Sequence, residues 1–476
     1  SPASQPDFGF ARRNWVSRMP PSRTALRLAG PNARNNSGPG SLSQECEARY
    51  RLAKRRCEKG REMRDPYDVV IIGGGIAGGG LATTLARGGK KVLLLEQTNA
   101  YQDIVRGEVM TQWGVKEAQT TGLLESLVAA GAHFTTRYVG YDELVTPGEA
   151  ERTAMDLSML VPGVPGHLAL THTQHRQALF DAATASGAAA KRGVRVKHIA
   201  VGVAPSVEFE VDGKTETAHA RLVVGADGRN STVRHACGIA LQQDRPRNHI
   251  TGLLVENAAG WDDRTETFGT NNDMFFAIFP QGSGRVRLYG VWPLAQRNRF
   301  TGPDAATSFL SMFRMSCCPM AEHLARATPA GPLLSFLNSE SRAACLAVDG
   351  ALLIGDAGGW SDPIIGQGLS SAHRDVRIVS DILLSTGDWS PATFAPYEAE
   401  RRERVRRIAH VSELFTRLCA EFDEPCRKRR ARYFKGLGSD PAMRAIGGAI
   451  SLGPDGLPAD AFTSDHRAYV LDLAAL

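Results

Sequence analysis

The chain has 476 residues, of which 42% are hydrophobic and 22% are charged, proportions that fit a globular protein with a sizeable core and roughly two to three domains. Its net charge of +6 arises in residues 1–64, where 14 Lys and Arg face 5 Asp and Glu, while the rest of the chain is slightly acidic. The folded part therefore has no general excess of basic residues, and no nucleic-acid partner is expected.

Eight cysteines are scattered along the chain, at positions 46, 57, 237, 317, 318, 345, 419 and 426. They form no C-x-x-C pair and no zinc-like spacing with histidine, so no metal site is predicted. Without a signal peptide, reduced thiols in a cytoplasmic protein are the expectation. No integral membrane segment is predicted, because the uncharged run at residues 69–86 contains six glycines and would make a poor membrane helix.

Residues 1–64 are rich in Arg, Ser, Pro, Asn and Gly and predict a basic, disordered N-terminal extension. Within it, residues 46–62 could form a short basic helix. Two alternatives stay open: an Arg-rich transit peptide, and translated sequence upstream of a start at Met63.

The strongest motif of the chain begins at residue 67. A buried strand is predicted at residues 68–72 from the uninterrupted β-branched run 69–72, and Gly73, Gly75 and Gly78 follow it in the G-x-G-x-x-G spacing. In this spacing the first glycine permits a tight turn, the second lets a pyrophosphate approach the backbone, and the third lets a helix pack closely on the strand.

The helix predicted after these glycines covers residues 76–87, with Ile76 and Ala77 in its first turn. Its N-terminal N–H groups and the positive end of its dipole suit a phosphate. A second strand, residues 91–95, ends at Glu96, an acid placed to hold a ribose hydroxyl. Strand, glycines, helix, strand and acid together predict dinucleotide binding more strongly than they predict a simple Gly-rich turn.

The next part of the chain supplies two arginines near this cleft. Arg106 lies on a loop, and Arg176 opens a helix predicted at residues 177–186. A longer helix is predicted at residues 115–130 from its apolar face. Three strands are predicted before residue 225, at residues 194–203, 207–211 and 222–224.

A second glycine-containing turn follows the last of these strands, where Gly225 precedes Asp227-Gly228 and a helix start at Ser231. Residues 249–293 then alternate as strands of an antiparallel sheet that would cover a substrate. A helix is predicted at residues 307–327.

A third buried strand, residues 351–354, leads into Gly355-Asp356, and a helix is predicted at residues 368–385. Residues 396–422 predict a long helix whose arginine run is interpreted as a solvated face. The last forty residues are weakly patterned and have no assigned structure.

These elements predict an α/β fold: a three-layer Rossmann-like domain, an interleaved antiparallel-sheet substrate domain and a helical C-terminal region. The predicted domains are the extension at 1–64, the nucleotide-binding domain at 65–245 and 345–395, the substrate domain at 246–344 and the helical region at 396–476.

The three glycine-containing turns, each after a buried strand, resemble those of the flavoprotein aromatic hydroxylase superfamily, whose type member is p-hydroxybenzoate hydroxylase. Its relatives include ubiquinone-pathway hydroxylases, squalene epoxidase, FAD-dependent halogenases and geranylgeranyl reductases. The resemblance covers roughly residues 65–404.

The resemblance implies a set of FAD-binding residues. The residues that would bind the ADP half and its phosphates are Gly73, Gly75, Ile76, Ala77, Gly78, Glu96, Arg106 and Arg176. Asp227 belongs to a turn that supports both FAD and transient NADH or NADPH binding, and Asp356, after Gly355, would accept a hydrogen bond from a ribityl hydroxyl. Without the family, Asp356 could be a simple helix cap.

The same resemblance places the segment after Asp356 against the isoalloxazine ring. Pro363, Gly366, Gln367 and Gly368 would lie near the ring, with Leu369 at the start of the helix. Amides at this helix N-terminus would stabilise negative charge on the reduced flavin.

Two departures from the family pattern bear on function. The histidine usual after this Gly-Asp segment is absent, and Trp360 occupies this part of the chain, as either a core or a substrate-facing residue. The W-x-W-x-I-P signature of tryptophan halogenases is also absent, which makes halogenation a minority interpretation. Since no G-x-S-x-G occurs, a serine hydrolase is not indicated.

The implied function is that of a monooxygenase in which NADH or NADPH reduces FAD and O₂ forms a flavin C4a-hydroperoxide. That species would hydroxylate or epoxidise an electron-rich small molecule, and no catalytic side chain is assigned. The alternatives are an FAD-dependent reductase of isoprenoid double bonds, a halogenase, and a flavin-binding module without turnover.

Overall fold

The computed structural model describes residues 66–258 and 260–472. The predicted extension at residues 1–64, including its possible helix and the alternatives for its origin, lies outside the described residues. All the elements below belong to one unit, residues 65–476.

Strands and helices alternate in the first part of this unit, and helices fill the last part. In chain order the strands are β1 Tyr67–Ile72, β2 Val92–Leu95, β3 Val109–Met110, β4 His133–Thr135, β5 Arg137–Val139, β6 Met155–Asp156, β7 His167–Ala169, β8 Ala189–Lys191, β9 Arg195–Ala200, β10 Ser206–Val211, β11 Lys214–Gly225, β12 Leu241–Gln243, β13 Asn248–Glu256, β14 Thr265–Asn271, β15 Met274–Pro280, β16 Val286–Pro293, β17 Thr328–Pro329, β18 Leu334–Asn338, β19 Ser341–Ala343, β20 Ala347–Val348 and β21 Ala351–Leu353. The α-helices are α1 Ile76–Arg87, α2 Gln112–Thr120, α3 Leu124–Ala129, α4 Pro147–Arg152, α5 His172–Ala185, α6 Thr232–Ala236, α7 Ala305–Ser311, α8 Ala321–Leu324, α9 Gly368–Ser385, α10 Ala395–Cys419, α11 Glu424–Gly436, α12 Pro441–Leu452 and α13 Ser464–Leu471.

An eight-stranded sheet carries the three glycine-containing turns. Its main order is β20-β21-β11-β1-β2-β8. In addition, β10 pairs with the first half of the long strand β11, and β9 pairs with β10. Strands β21, β11, β1, β2 and β8 run parallel. The carboxyl ends of parallel strands lie at one edge of a sheet, so the turns after β1, β11 and β21 meet there.

Helix α1 packs between α5 and α9, and its glycines permit the close approach. A side chain at Gly79 would place its Cβ 3.0 Å from Cβ of Leu179 on α5. A side chain at Gly80 would lie 3.1 Å from Val376 on α9. The glycines in α1 therefore serve packing as well as phosphate approach.

A second eight-stranded sheet has the order β17-β13-β16-β15-β14-β5-β6, with β18 paired to β13. Its pairs are antiparallel except for β14 with β5. Side chains alternate between two cores: Phe275 packs with the C-terminal helices, and Phe276 packs on the opposite face. We call the face that carries Ile250, Phe275 and Phe336 the inner face.

The C-terminal region, whose last forty residues had no predicted structure, forms helices α10 to α13. Ile446, Ile450 and Val470 are buried in the same core as Leu414 of α10. The predicted α/β class, with a Rossmann-like sheet, an antiparallel sheet and a helical C-terminal region, is confirmed.

Two predicted helices are wrong in extent. Residues 115–130 form two helices, α2 and α3, because Gly122 between them takes a φ of +65° and ends the first helix. Residues 307–327 hold only α7 and the four-residue α8, and Pro319 lies just before α8. Proline lacks an N–H and restricts the residue before it, so a continuous helix through position 319 is disfavoured.

The six cysteines of the described residues are free thiols. Across residues 66–258 and 260–472, no helix has the length and apolarity needed to cross a membrane. The same residues bring together no group of three or more His, Cys, Asp or Glu side chains placed to hold a metal ion.

Candidate functional site

The turns after β1, β11 and β21 are in direct contact. A side chain at Gly73 would place its Cβ 2.3 Å from the carbonyl oxygen of Ala226. One at Gly355 would place its Cβ 3.0 Å from Cβ of Ala77, in the first turn of α1. Motifs that are separated by more than a hundred residues in the sequence thus form one site.

The three glycines of the first turn occupy three different environments. Gly73 has a φ of +103°, which non-glycine residues rarely adopt. A Cβ at Gly78 would lie 1.9 Å from the Gly73 carbonyl oxygen, so close packing requires glycine there. At Gly75 a Cβ would meet no atom of the described residues within 4 Å. This position, at the N-terminus of α1, leaves room for a phosphate group.

Glu96, at the end of β2, is buried and holds the glycine turn. One of its carboxylate oxygens accepts a hydrogen bond from the Gly74 N–H at 2.7 Å, and the other accepts from the N–H and hydroxyl of Thr98. Arg176 lies 3.7 Å from the second oxygen, and its guanidinium stacks 3.9 Å from the ring centre of Tyr101. Glu96 and Arg176 are therefore neighbours at one end of the site.

Asp227 shapes its own turn. Its carboxylate accepts hydrogen bonds from the Ser231 hydroxyl at 2.5 Å and from the Thr232 N–H at 2.6 Å. Burial raises the pKa of Asp227, although these hydrogen bonds oppose the shift. The buried Arg234 then links this turn to the next by donating to the Ala357 carbonyl oxygen at 2.9 Å.

Arg229, directly after Asp227-Gly228, crosses to Asp356. Its Nε lies 3.4 Å from the Asp356 carboxylate, and its guanidinium lies 4.9 Å from the ring centre of Trp360. Asp356 caps no helix, and its side chain is 43% exposed. The interpretation of Asp356 as a simple helix cap is therefore wrong.

Arg106 joins this group from the other side. Burial lowers the pKa of its guanidinium, as does the positive charge of Arg229, while Asp356 opposes the shift. The Arg106 guanidinium lies 4.9 Å from the ring centre of Phe336, on the inner face of the antiparallel sheet. Two arginines thus share one partly exposed carboxylate, an arrangement suited to an added anion.

An unusual backbone turn positions Arg106 between the two sheets. Val105 has a φ of +53° and Gly107 one of +64°. Val105 is fully buried, and a Cβ at Gly252 on β13 would lie 2.2 Å from its side chain. Since a β-branched residue is strained at positive φ, close packing against Gly252 holds the turn in place.

A buried charge pair fastens the same segment to β16. Glu108 and Arg287 are each 1% exposed in their side chains and lie 3.2 Å apart, and Tyr289 donates a hydrogen bond to Glu108. Burial raises the pKa of Glu108, and Arg287 and Tyr289 counteract part of that shift. Arg106 therefore sits on a turn that two strands of the antiparallel sheet, β13 and β16, hold in place.

Residues 362–368, which we call the Gly366 loop, end at the N-terminus of α9. Gly366 has a φ of +66°, and a Cβ at Gly366 or at Gly368 would meet no atom of residues 66–258 and 260–472 within 4 Å. The first turn of α9 has neither an acidic residue nor a side-chain cap, so its N–H groups stay available. Leu369 is buried and lies against Gly107. This end of the helix can accept a planar, electron-rich group.

Gln367 and Pro363 have supporting positions in this loop. Gln367 is buried, accepts from the Trp113 indole N–H at 2.7 Å and donates to the Ile365 carbonyl oxygen at 2.7 Å. Pro363 begins the short 3-10 turn that precedes Gly366. The Gln367 side chain thus holds the loop from the protein side, and the backbone is what the loop offers to a ligand.

A buried ion network supports the Gly355 turn from behind. Asp375 of α9 accepts from the Gly355 N–H at 2.8 Å and pairs with Arg401 and, at 2.7 Å, with Arg404, both on α10. Arg401 also donates to the carbonyl oxygens of Gly355 and Gly359. Burial and the neighbouring Arg404 lower the pKa of Arg401 to about 9.

This network corrects the interpretation of the arginine run on α10 as a solvated face. Arg401 and Arg404 are buried, whereas the side chain of Arg402 is 73% exposed. The run was misread because the buried partner, Asp375, belongs to another helix.

A neutral histidine lies between the two arginines that the sequence predicted. Burial lowers the pKa of His172 to about 3, and the charges of Arg176 and Arg106 act in the same direction. A Cβ at Gly107 would lie 3.2 Å from the His172 ring. His172 can therefore donate or accept a hydrogen bond here without adding positive charge.

The inner face presents aromatic side chains toward this site. Phe268 lies 5.4 Å from Phe279 between ring centres, and Phe279 lies 6.0 Å from Tyr289. Together with Phe336, these rings are only partly buried. Such a wall suits an apolar or aromatic small molecule.

Sequence reasoning missed Arg229, Arg234 and Asp375. Arg229 and Arg234 stand inside the same segment as Asp227-Gly228, so that turn was a usable signal for them. Asp375 had no local signal, since its partners are a turn twenty residues earlier and a helix 26 residues later.

Comparison with known proteins identifies the family of this chain. The sequence model of the family described as FAD binding domain matches residues 66–412. 3-Demethoxyubiquinol 3-hydroxylase of Escherichia coli is 26% identical over 355 residues, which cover 72% of this chain and 86% of that protein. Digeranylgeranylglycerophospholipid reductase of Methanosarcina acetivorans is 27% identical over 341 residues, covering 69% and 78%.

A solved flavin-dependent brominase has a similar fold, with a TM-score of 0.67 and 18% identity over 86% of this chain and 99% of that one. That identity supports the fold alone. The chain is a flavoprotein oxidoreductase that belongs to the FAD binding domain family, with FAD-dependent hydroxylases and monooxygenases among its relatives.

Proposed function

We propose that this protein uses NADH or NADPH and O₂ to hydroxylate or epoxidise an electron-rich small molecule with its FAD. The observation that carries the proposal is the contact between Arg229 and Asp356, at the place where the three turns meet. It supports a site completed by an anionic dinucleotide, and the hydroxylase relatives support the type of reaction.

The first half of the cofactor fits the glycine turn. The pyrophosphate would take the open space over Gly75, with the α1 N–H groups on one side. Arg106 and Arg229 would neutralise its charge, since together they exceed the single charge of Asp356. Glu96 would hold the adenosine ribose, with Arg176 close by.

The second half fits the Gly366 loop. Asp356 would accept from the ribityl chain, because its carboxylate is partly exposed and is not engaged in a cap. The α9 N–H groups would face the ring edge that becomes negative on reduction. FAD itself would supply the electron transfer and oxygen activation, and these residues would hold it and favour its reduced form.

The protein's own contribution to the reaction would be positioning and exclusion of water. The partly buried aromatic rings of the inner face would place an apolar or aromatic substrate opposite the Gly366 loop. The strained turn at Val105 would keep Arg106 between substrate and cofactor. No side chain needs to act as a nucleophile in this proposal.

A reductase of isoprenoid double bonds is the second candidate. The similarity to digeranylgeranylglycerophospholipid reductases favours it, and the aromatic inner face would also accept an isoprenoid chain. Such an enzyme would bind the same cofactor and would not need oxygen. Halogenation has support only from fold similarity.

Two glycine variants test the cofactor site. In Gly75→Val the added Cβ would have no atom of the described residues within 4 Å but would occupy the pyrophosphate position, so the variant should fold and lose FAD. Gly438→Val, where a Cβ is equally free of neighbours, is the matched control and should keep its FAD. The measurement is flavin absorbance of the purified proteins together with their unfolding in urea. A folded Gly75→Val protein with normal flavin content would refute the assignment.

Oxygen dependence distinguishes the two reactions. NADPH oxidation would be followed with and without O₂, with a ubiquinol analogue and with a geranylgeranyl lipid as substrates. A monooxygenase should need O₂ and should insert isotopically labelled oxygen into the product. Substrate reduction under anaerobic conditions would favour the reductase instead.

A further inference from the structure

A series of acidic side chains leads from the protein surface to the Gly366 loop. Asp244 is partly exposed and pairs with Arg342 at 3.0 Å. Glu340 is 8% exposed, and Asp362, the residue before Pro363, is 3% exposed. The acids become more buried as they approach the loop.

Backbone hydrogen bonds hold these three segments side by side. The Asp244 N–H donates to the Glu340 carbonyl oxygen at 3.0 Å. The Ser341 N–H donates to the Trp360 carbonyl oxygen at 2.8 Å, two residues before Asp362. The order from surface to loop is therefore fixed by the fold.

The side chains along this line influence one another without completing a hydrogen-bond network among the described residues. Burial, Asp244 and Asp362 all raise the pKa of Glu340, and two carboxyls can share a hydrogen bond only if one is protonated. Asn338 is fully buried beside Asp362, yet among the described residues neither its amide nitrogen nor its oxygen has a well-formed hydrogen-bond partner. Within the same part of the chain, one Glu340 oxygen is also unpaired. Buried polar atoms without partners call for bound water.

The pKa values of the inner two acids are raised toward neutral pH. Burial raises the pKa of Asp362 to about 6, against the opposing effects of the Ile364 N–H, Asn338 and Arg247. Burial also raises the pKa of Glu340 to about 7, with Asp244 acting in the same direction and Arg342 against it. Groups with such values act most effectively as acids and bases near the working pH.

Capping alone does not account for a buried acid at position 362. Asp362 accepts from the Ile364 N–H at 2.9 Å and so caps a three-residue 3-10 turn. Asp156 caps another three-residue turn in the same way, accepting from Ser158 at 2.9 Å, and it is exposed. The burial of Asp362 therefore requires a further explanation.

We propose that Asp244, Glu340 and Asp362, with Asn338 and bound water between the last two, form a proton relay from solvent to the Gly366 loop. Asp362 is the terminal acid. Only the identity of its proton acceptor, the flavin site or a substrate beside it, depends on the proposed function.

The proton balance shows why such a relay is needed. When O₂ reoxidises reduced FAD without substrate, FADH⁻, O₂ and one H⁺ give FAD and hydrogen peroxide, with two electrons passing from flavin to oxygen. Asp362 supplies the proton and becomes a carboxylate. The Asp362 carboxylate then takes a proton from Glu340, and solvent reprotonates Glu340 through Asp244. Oxygenation and double-bond reduction with NADPH each also consume one proton per turnover, so both candidate reactions need this supply.

The test uses the purified holoprotein and no organic substrate. The flavin is photoreduced without air and mixed rapidly with O₂ at a series of pH values, in water and in heavy water. Asp362→Asn and Glu340→Gln should slow reoxidation by about a hundredfold, at the lower end of the effect of a general acid. They should also abolish the wild-type fall in rate above about pH 6–7, and Asp362→Glu should restore part of the rate.

Asp156→Asn is the matched control, since it alters an exposed cap and should leave reoxidation unchanged. Variant rates within twofold of wild type, with the same pH profile, would overturn the relay. So would a large loss in the Asp156→Asn control.

A second measurement separates the relay from the proposed function. Infrared titration of the purified protein should show protonated carboxyl groups that ionise near pH 6–7, with one group lost in each variant. This result needs no turnover. Normal flavin chemistry without these groups would overturn the relay alone, whereas these groups in a protein without flavin would overturn the proposed function alone.

Discussion

Replacing Asp375 by Asn would remove the one negative charge between two buried arginines while keeping the shape of the side chain. Asp375 is fully buried, and the side chains of Arg401 and Arg404 are 7% and 1% exposed. In the wild-type protein the Gly355 N–H donates to the Asp375 carboxylate at 2.8 Å, and an asparagine oxygen can still accept this hydrogen bond. The substitution therefore tests the charge and leaves the backbone contact possible.

The expected loss in the free energy of unfolding follows from the burial of the two arginines. Removing one partner of a buried ion pair costs about 3–5 kcal/mol, because the remaining charge has no compensation. Here two guanidinium groups remain, although Arg404 keeps a contact with Glu400 at 3.0 Å and Arg401 keeps two backbone carbonyls. We expect a loss of about 3 kcal/mol, a large share of a typical folding free energy of about 5–15 kcal/mol.

Urea unfolding at 25 °C measures this loss, and Asp381→Asn is the matched control. Asp381 lies on the same helix and also pairs with an arginine, Arg377 at 3.4 Å, but its side chain is 67% exposed. An exposed pair of this kind contributes about 0–1 kcal/mol. Because Asp375 holds the Gly355 turn, flavin content should also fall in Asp375→Asn and not in the control.

A change of less than about 1 kcal/mol in Asp375→Asn, with normal flavin content, would refute this reasoning. It would mean that Arg401 and Arg404 are compensated by their other contacts, and that the Gly355 turn does not depend on the ion network.

Three further outcomes are expected. Asp356→Ala should weaken FAD binding by about ten- to a hundredfold, because a charge-assisted hydrogen bond is lost. Its free energy of unfolding should stay near that of the wild type, because Asp356 caps no helix of the described residues. FAD titration measures the first effect and urea unfolding the second. Gly252→Ala should displace Val105, 2.2 Å from the added Cβ, and so lower both stability and flavin content. Burial raises the pKa of Asp362 from 3.8 to about 6, so the folded state binds this proton more tightly than the unfolded state. The resulting contribution to the free energy of unfolding is present below about pH 4 and is lost as pH rises through about 6. In urea unfolding, the wild-type free energy should fall by about 3 kcal/mol over this pH range because of Asp362, and Asp362→Asn should lack that fall.

The parts of the fold that the sequence predicted have local causes. Helix α1 runs from Ile76 to Arg87 and α9 from Gly368 to Ser385, as predicted, because glycines after a buried strand mark where each helix starts. The three turns were also recognisable one at a time. The contact between these turns, for example between Gly73 and Ala226, depends on the order of the parallel strands in the sheet. A single sequence does not determine that order.

The parts that were missed depend on contacts between distant segments. The arginine run on α10 has the composition of a solvated face, and only the approach of Asp375 turns two of its members inward. The turn at Val105 also depends on a distant segment, because its neighbours in the sequence do not favour a positive φ at a valine. It exists because Gly252, far along the chain, leaves room for it.

The charge balance of the site connects its structure to its cofactor. Burial and the positive charge of Arg229 lower the pKa of Arg106, and the single negative charge of Asp356 balances only one of the two positive charges. Without an anion this arrangement opposes folding, and the strained turn at Val105 adds to the cost. A pyrophosphate between the arginines would reverse the sign of that interaction. Binding to the folded state alone stabilises a protein by about 4 kcal/mol when the ligand is a thousandfold above its Kd. The unfavourable charges around Arg106 and the strained turn at Val105 therefore lie where FAD, bound as proposed above, would offset them.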